Sequence, residues 1–148
     1  MKFYAVIDTN VIVSSLLVPK SVPREITTLI NKGTIIPILN AEIIEEYLDV
    51  LYRNKFGFSK SKIDRTIGNI KRNAIYLNRK QSLEEFIDSD DIVFYEIVLS
   101  ARCTMDAYLV TGNMKHYPIR NYVVTPRQML DIIEQEKELE KKNNNESA

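Results

Sequence analysis

Short apolar runs alternate along the chain with longer segments of helical period, and this alternation constrains the fold more than any other feature of the sequence. Four runs have the apolar and β-branched content of buried strands: Phe3–Ile7, Thr34–Leu39, Ala107–Val110 and Tyr122–Val124. Strands that alternate with helices favour a parallel sheet covered on both faces. The sequence therefore predicts an α/β fold, a three-layer sandwich with a central, mostly parallel sheet of four or five strands flanked by helices.

Helix boundaries are marked by capping residues and by the spacing of apolar side chains. Thr125 and Gln128 have the form of a capping box, with Pro126 at the first helical position. Pro37 inside the second strand predicts an edge strand or a bulge, and the segment 75–87 is compatible with a helix end, a loop or a short strand. The predicted helices are 11–17, 23–32, 41–55, 59–74, one that begins at Asp88 or Ser89 and includes Ala101, and 126–138.

The length of 148 residues predicts a single domain over 1–138, followed by a polar, disordered tail over 139–148. No apolar run approaches the roughly 18–20 residues of a membrane helix, and the apolar stretch at the N-terminus is too short for a signal peptide. The single cysteine, Cys103, cannot form an internal disulfide. A reducing, cytoplasmic location is therefore predicted.

Positive charge is concentrated in the middle of a chain whose formal net charge is zero. Residues 52–80 contain nine basic side chains and one acid, Asp64, which gives this segment a net charge of +8. For a polyanionic partner, local charge matters more than the total. A solvated, Lys-rich helix would show the same pattern, so this segment alone leaves a nucleic-acid surface as one of two interpretations.

Two acids are placed to reach the carboxyl edge of the predicted sheet, where ligands bind in parallel α/β folds. Asp8 follows the first strand directly, at the rim of the core, where its charge needs a partner. An Asx-turn or N-cap would also explain an Asp at this position. Glu46 is the acid nearest the apolar stripe of the helix 41–55, so it is best able to lean towards Asp8. A solvated flank position is the alternative for Glu46.

Three further carboxylates, those of Asp88, Asp90 and Asp91, crowd the start of a predicted helix. Capping and the helix dipole explain acids there, but three exceed what one cap needs, so at least one is predicted to face a cation. The single histidine and single cysteine argue against a zinc site. Oxygen ligands suit Mg²⁺ or Mn²⁺. Beside a basic segment, such a site would suit hydrolysis of a nucleic-acid phosphodiester.

Four motifs, in order, resemble those of the PIN-domain family, and the resemblance spans about residues 3–133. The first is DTNV at 8–11, which begins with Asp8. The second, EEYLDVLYRNKF at 45–56, resembles E-[LY]-x-x-V-L-x-R-x-K-F of a branch described as toxin components of toxin–antitoxin pairs, the VapC-like ribonucleases. The third, DSDDIVF at 88–94, resembles D-P-D-D-x-x-F, and the fourth, LVTGNMKHYP at 109–118, resembles L-V-T-G-[DN]-x-x-H-[FY]-P.

The resemblance implies an endoribonuclease that depends on Mg²⁺ or Mn²⁺. It assigns metal binding and catalysis to Asp8, Glu46 and Asp91, with Asn113 as a further catalytic residue that orients water or substrate. Because Asn113 stands where many PIN domains have a fourth acid, a second metal would bind weakly or not at all. The implied supporting residues are Asn10, Asp88 and Thr111, and the implied RNA-binding residues are Arg53, Lys55 and Arg72.

The resemblance also implies partners: an RNA substrate, a small antitoxin protein and, as in many such domains, a second copy in a homodimer. Two alternatives stay open. The first is a catalytically weak PIN fold that binds RNA or protein, with Asn113 as a sign of decay. The second is a phosphotransferase of the haloacid-dehalogenase type, which needs a second Asp where this chain has Asn10. His116 could act as a general base, but a structural role in its His-Tyr-Pro loop is favoured.

Overall fold

A five-stranded, all-parallel sheet forms the centre of the molecule. The structure is a computed structural model that describes residues 1–84, 86 and 89–147. The strands are Phe3–Ile7 (β1), Ile35–Leu39 (β2), Ile75–Tyr76 (β3), Ala107–Val110 (β4) and Val123–Val124 (β5). They lie in the order β3-β2-β1-β4-β5, and every neighbouring pair is parallel. The predicted α/β sandwich with a mostly parallel sheet is confirmed, and the fifth strand comes from the segment 75–87 that the sequence left open.

Helices flank this sheet, and their ends follow the capping signals. Within the described residues they are Thr9–Leu17 (α1), Val22–Asn31 (α2), Ala41–Leu51 (α3), Lys60–Arg72 (α4), Ile92–Arg102 (α5) and Pro126–Ser147 (α6). Asn40 Oδ1 accepts a hydrogen bond from the backbone N–H of Ile43 at 2.8 Å. The predicted capping box is present, because Thr125 and Gln128 each accept a bond from the backbone N–H of the other.

Two predicted helix ends were wrong. Helix α3 ends at Leu51 rather than near Lys55, and the chain continues into a short 3₁₀ turn over Asn54–Phe56. Gly57, at φ +63°, closes that turn in a left-handed conformation that glycine adopts without strain.

Helix α6 does not stop near Glu138 but runs to Ser147. Glu, Lys and Leu are strong helix formers, and Glu138 precedes Lys142 by four residues, a spacing that stabilises a helix. The residues 139–146 are exposed. The helix thus crosses the predicted boundary between domain and disordered tail, and that division itself stays a prediction.

Pro37 lies in an interior strand, so the predicted edge position of its strand was wrong. Strand β2 pairs with β1 on one side, where Pro37 is opposite Ala5. On the other side, β3 reaches only Ile38 and Leu39. The sheet is therefore unpaired at Pro37 on the β3 side, and a residue without a backbone N–H is tolerated there.

The register of the central strands fixes what emerges at the carboxyl edge. Strand β1 is apolar to its end, with Val6 and Ile7 fully buried, and Ile7 is paired with Val110 of β4. The next residues, Asp8 and Thr111, therefore leave the sheet side by side.

No helix in the described part of the chain is both long enough and apolar enough to cross a membrane.

Candidate active site

Asp8 is a buried carboxylate at the carboxyl edge of the sheet, only 5% exposed. It occupies the N-cap position of α1, but its side chain makes no capping hydrogen bond. Its Oδ2 instead accepts hydrogen bonds from Asn10 Nδ2 at 3.0 Å, from Thr111 Oγ1 at 2.8 Å and from the Tyr117 hydroxyl at 3.0 Å. Three donors on one oxygen fix the orientation of this carboxylate, so capping does not explain Asp8.

Burial and hydrogen bonding act on the Asp8 carboxyl in opposite directions. Burial raises its pKa above the usual value, because the charged form loses hydration. Hydrogen bonds from Thr111 and Tyr117, and then from the Thr9 backbone and Asn10, offset part of that rise in the pKa. The hydrogen-bond donors around the buried Asp8 stabilise its carboxylate form, and a bound cation would stabilise that form further.

Thr111 directs its hydroxyl proton at Asp8. Its Oγ1 accepts a hydrogen bond from the backbone N–H of Asn113 at 2.9 Å and donates to Asp8 Oδ2. Thr111, one of the predicted supporting residues, thus hydrogen-bonds Asp8 directly. The turn after β4 therefore orients Asp8 through its backbone as well as through a side chain.

Asn10 ties the start of α1 to the end of β4. Its amide donates to Asp8, and its Oδ1 accepts from the backbone N–H of Gly112 at 2.9 Å. A Cβ at position 112 would lie 3.1 Å from Asn10 Oδ1, tighter than most real contacts, so glycine permits this approach. Asn10 thus holds the Asp8 carboxylate against the turn after β4, and its amide has no acidic proton to give as a general acid.

Tyr117 joins Asp8 to a second acid, Asp91, and the predicted site did not include it. Its hydroxyl lies 3.0 Å from Asp8 Oδ2 and 3.4 Å from Asp91 Oδ1, and its side chain is almost fully buried. Burial, and then the charges of both carboxylates, raises the pKa of Tyr117, so the phenol stays protonated as a donor. The position of Tyr117 just past the β4 edge was the available signal.

Asp91 faces this site rather than the helix it precedes. It occupies the N-cap position of α5 but makes no side-chain capping hydrogen bond. Besides the contact with Tyr117, its Oδ2 lies 3.2 Å from Nδ1 of His116. The structure therefore brings Asp8 and Asp91 to the same hydroxyl. Asp88, predicted as a supporting residue, lies outside the described residues.

Glu46 lies in an adjoining cleft between α3 and the start of α5. The cleft has a volume of about 490 Å³. Its lining residues include five acids, namely Glu42, Glu45, Glu46, Asp49 and Asp90. The neighbouring Tyr47 is fully buried and donates its hydroxyl proton to the carbonyl oxygen of Ile7, the residue before Asp8. That bond anchors the Glu46 turn of α3 to the end of β1.

The carboxylate oxygens of Asp8, Asp91 and Glu46 are the candidate ligands for a divalent cation. Among residues 1–84, 86 and 89–147, no group of three or more acidic, histidine or cysteine side chains is arranged to hold a metal ion. The structure assembles the pair Asp8 and Asp91, whereas the predicted third ligand, Glu46, is grouped with the acids of the adjoining cleft. One buried and one partly buried carboxylate, with further acids beside them, match the hard oxygen donors that Mg²⁺ prefers.

An ion pair with a buried acid closes one wall of the acidic cleft, and it was missed at the sequence level. Glu96 of α5 is 5% exposed and accepts hydrogen bonds from Arg79 Nε at 2.8 Å and from the Ser82 backbone N–H at 2.6 Å. Arg79 also reaches Glu42 at 2.7 Å. The signal was a lone charge in the apolar run from Ile92 to Ala101, because such a charge needs a partner.

The predicted RNA-binding residues have local partners. Arg53 pairs with Asp49 at 3.2 Å, and Lys55 Nζ lies 5.1 Å from the centre of the Phe56 ring. Arg72 donates to Asn69 Oδ1 at 2.8 Å. Their role in binding RNA stays a prediction.

The side chain of Asn113 is exposed. Its backbone, rather than its amide, is what binds Thr111, so a catalytic role for the amide stays a prediction.

An all-parallel α/β sheet with a hydrogen-bonded acid pair at its carboxyl edge defines a class of protein suited to cation-assisted chemistry on anionic ligands. A family model described as the PIN domain matches residues 4–115. This match covers most of the chain, and the chain belongs to the PIN-domain family. Proteins of this family are generally nucleases, which supports hydrolysis of phosphodiester bonds. Comparison with curated proteins gave no match.

Proposed function

We propose that this protein is an endoribonuclease that depends on Mg²⁺ or Mn²⁺, and that it is the toxin component of a toxin–antitoxin pair. The observation that carries the proposal is the convergence of Asp8 and Asp91, from distant parts of the chain, on the hydroxyl of Tyr117. Two carboxylates held this close repel each other unless a proton donor or a cation lies between them. A nuclease site needs such a place for a cation beside the scissile phosphate.

The roles of the chain's own residues follow from their contacts. Asp8 and Asp91 would hold the ion, and Glu46 would join them from the adjoining cleft, directly or through water. Thr111 and Asn10 keep the Asp8 carboxylate oriented. When bound, a divalent ion supplies neutralisation of phosphoryl charge and activation of water. Hydrolysis would leave a 3′-hydroxyl and a 5′-phosphate.

The toxin assignment rests on the resemblance of the motif at 45–56, and its natural partner would be a small antitoxin that covers the acidic cleft. The cleft suits such a partner because five acids line it and Arg79 is the cation among them. A basic segment of an antitoxin would complement this charge. A homodimer is a further proposal from the same resemblance.

Metal-dependent cleavage is the experiment that tests the proposed activity. The purified protein should cleave single-stranded RNA in Mg²⁺ or Mn²⁺, and excess EDTA should abolish the cleavage until metal is restored. The products should carry 5′-phosphates and no cyclic phosphate, because water would be the nucleophile and the 3′-oxygen the leaving group. The control is the same reaction with Ca²⁺, which binds oxygen ligands with longer and more flexible geometry and should support little cleavage.

Two results would contradict the proposal. Cleavage that persists in EDTA, or that leaves cyclic phosphates, would mean that the acids do not work through a metal ion. RNA binding without cleavage in any metal would favour the catalytically weak binding module, for which the exposed Asn113 in place of an acid is the one supporting observation.

A further inference from the structure

A second charged feature lies away from the acids, in a groove of about 220 Å³ between α1, α2 and α4. Three cations, Arg24, Lys62 and Arg65, line this basic groove. Hydroxyl and amide groups, including those of Thr27 and Asn69, line the rest of its polar surface, and none of its lining residues is acidic. In a chain of zero net charge, this segregation marks a surface for an anion.

The cations of the basic groove are held in place without being neutralised. Arg24 Nη1 donates to the carbonyl oxygen of Ser15 at 3.1 Å, and Lys62 Nζ lies 5.4 Å from the centre of the Phe58 ring. None of the ion pairs found among the described residues involves Arg24, Lys62 or Arg65. By contrast, Arg53, one of the predicted RNA-binding residues, already has a carboxylate partner.

Helix α1 links the basic groove to the acid pair. Asp8 precedes the first residue of α1, and Ser15, which lines the groove, follows seven residues later. Seven residues of helix span about 10 Å. That distance corresponds to about three nucleotides of a stacked strand whose phosphates rise about 3.4 Å each. A strand with one phosphate at the acids would therefore bring a later phosphate to the groove.

We infer that the basic groove binds the phosphate backbone of the RNA substrate, a few nucleotides from the bond that is cut. This inference rests on the proposed function. In it, the cations of the basic groove take the place of Arg53 and Lys55 as the main phosphate contacts. Phosphate contacts position a strand without reading its sequence. They also supply the affinity that acidic residues around the scissile phosphate cannot supply.

Binding of fluorescein-labelled oligouridine, measured by fluorescence anisotropy in EDTA so that no cleavage occurs, tests the basic groove. The double variant Lys62→Ala/Arg65→Ala should bind about tenfold more weakly than the wild type. The slope of log Kd against log salt should fall by about 1.4, because each phosphate that is no longer neutralised lowers this slope by about 0.7. The matched control, Lys60→Ala/Lys71→Ala, removes the same charge from the same helix outside the groove and should leave both quantities close to wild type.

Equal losses of RNA affinity in the two double variants would overturn the inference, because binding would then depend on total charge rather than on the groove. RNA binding itself and the proposed activity would be unaffected by that result. Displacement of RNA by inorganic phosphate at matched ionic strength and submillimolar concentration would also overturn it, since the groove would then be a small-anion site. A wild type that binds no oligouridine would overturn it as well, and the EDTA experiment would decide the activity separately.

Discussion

Replacing Asp8 with Asn should lower RNA cleavage by at least about 10³-fold, the size of effect seen when a charge-stabilising group is removed from an active site. Asn keeps the shape of the side chain and an oxygen that can accept from Thr111 and Tyr117. It removes the negative charge that would hold a divalent ion. Initial rates on single-stranded RNA measure the loss, and Asp131→Asn, an exposed acid on α6, is the matched control.

The stability of the Asp8→Asn variant separates loss of chemistry from loss of fold. Burial raises the pKa of Asp8 in the folded state above its usual value of 3.8. The wild type therefore loses stability as pH rises through the folded pKa, and the neutral Asn does not. At pH 7 the variant should be at least as stable as the wild type, and the difference should shrink as pH falls through the folded pKa towards 3.8. Wild-type cleavage by a folded Asp8→Asn protein would remove Asp8 from the mechanism.

Replacing Arg79 with Met should lower the free energy of unfolding by about 3 kcal/mol, because it leaves the Glu96 carboxylate buried without its counter-charge. The Glu96 side chain is 7% exposed, and Arg79 is its cationic partner. For a chain of this length, the loss corresponds to a fall in Tm of about 6–12 °C. Urea unfolding measures the change, and the double variant Arg79→Met/Glu96→Gln should recover much of it.

A matched control exists for the Arg79 experiment. Arg120 pairs with Glu84 at 2.7 Å, but both side chains are a third or more exposed. Solvent screens such a pair, so Arg120→Met should cost less than about 1 kcal/mol. If the two variants lose similar stability, the Arg79–Glu96 pair behaves as a surface pair, and the wall that it forms beside the acidic cleft is not rigid.

The sheet and the place of Asp8 at its carboxyl edge could be predicted because they depend on local patterns. Strand β1 ends at Ile7, where its apolar run ends, so Asp8 follows it directly. The carboxyl ends of parallel strands share one edge. The capping box at Thr125 was readable for the same reason, since both partners lie within four residues. Such features need no knowledge of what the rest of the chain does.

Features that depend on pairs distant in sequence could not be predicted. Tyr117 meets Asp8 across 109 positions, and Arg79 meets Glu96 across 17. Nothing in the local pattern around Arg79 distinguishes it from the other eight cations of 52–80. The helical wheel favoured Glu46 over the other acids of α3, but it could not tell whether Glu46 would stand beside Asp8 or in the adjoining cleft.

The central claim is that Asp8 and Asp91 provide one site for a divalent ion. The most direct test is to measure Mn²⁺ binding through the electron paramagnetic resonance signal of the free ion. We expect saturable binding by the wild type, loss of that binding in both Asp8→Asn and Asp91→Asn, and retention in Asp131→Asn. Mn²⁺ binding of wild-type strength in either active-site variant, or no binding by the wild type, would contradict this claim.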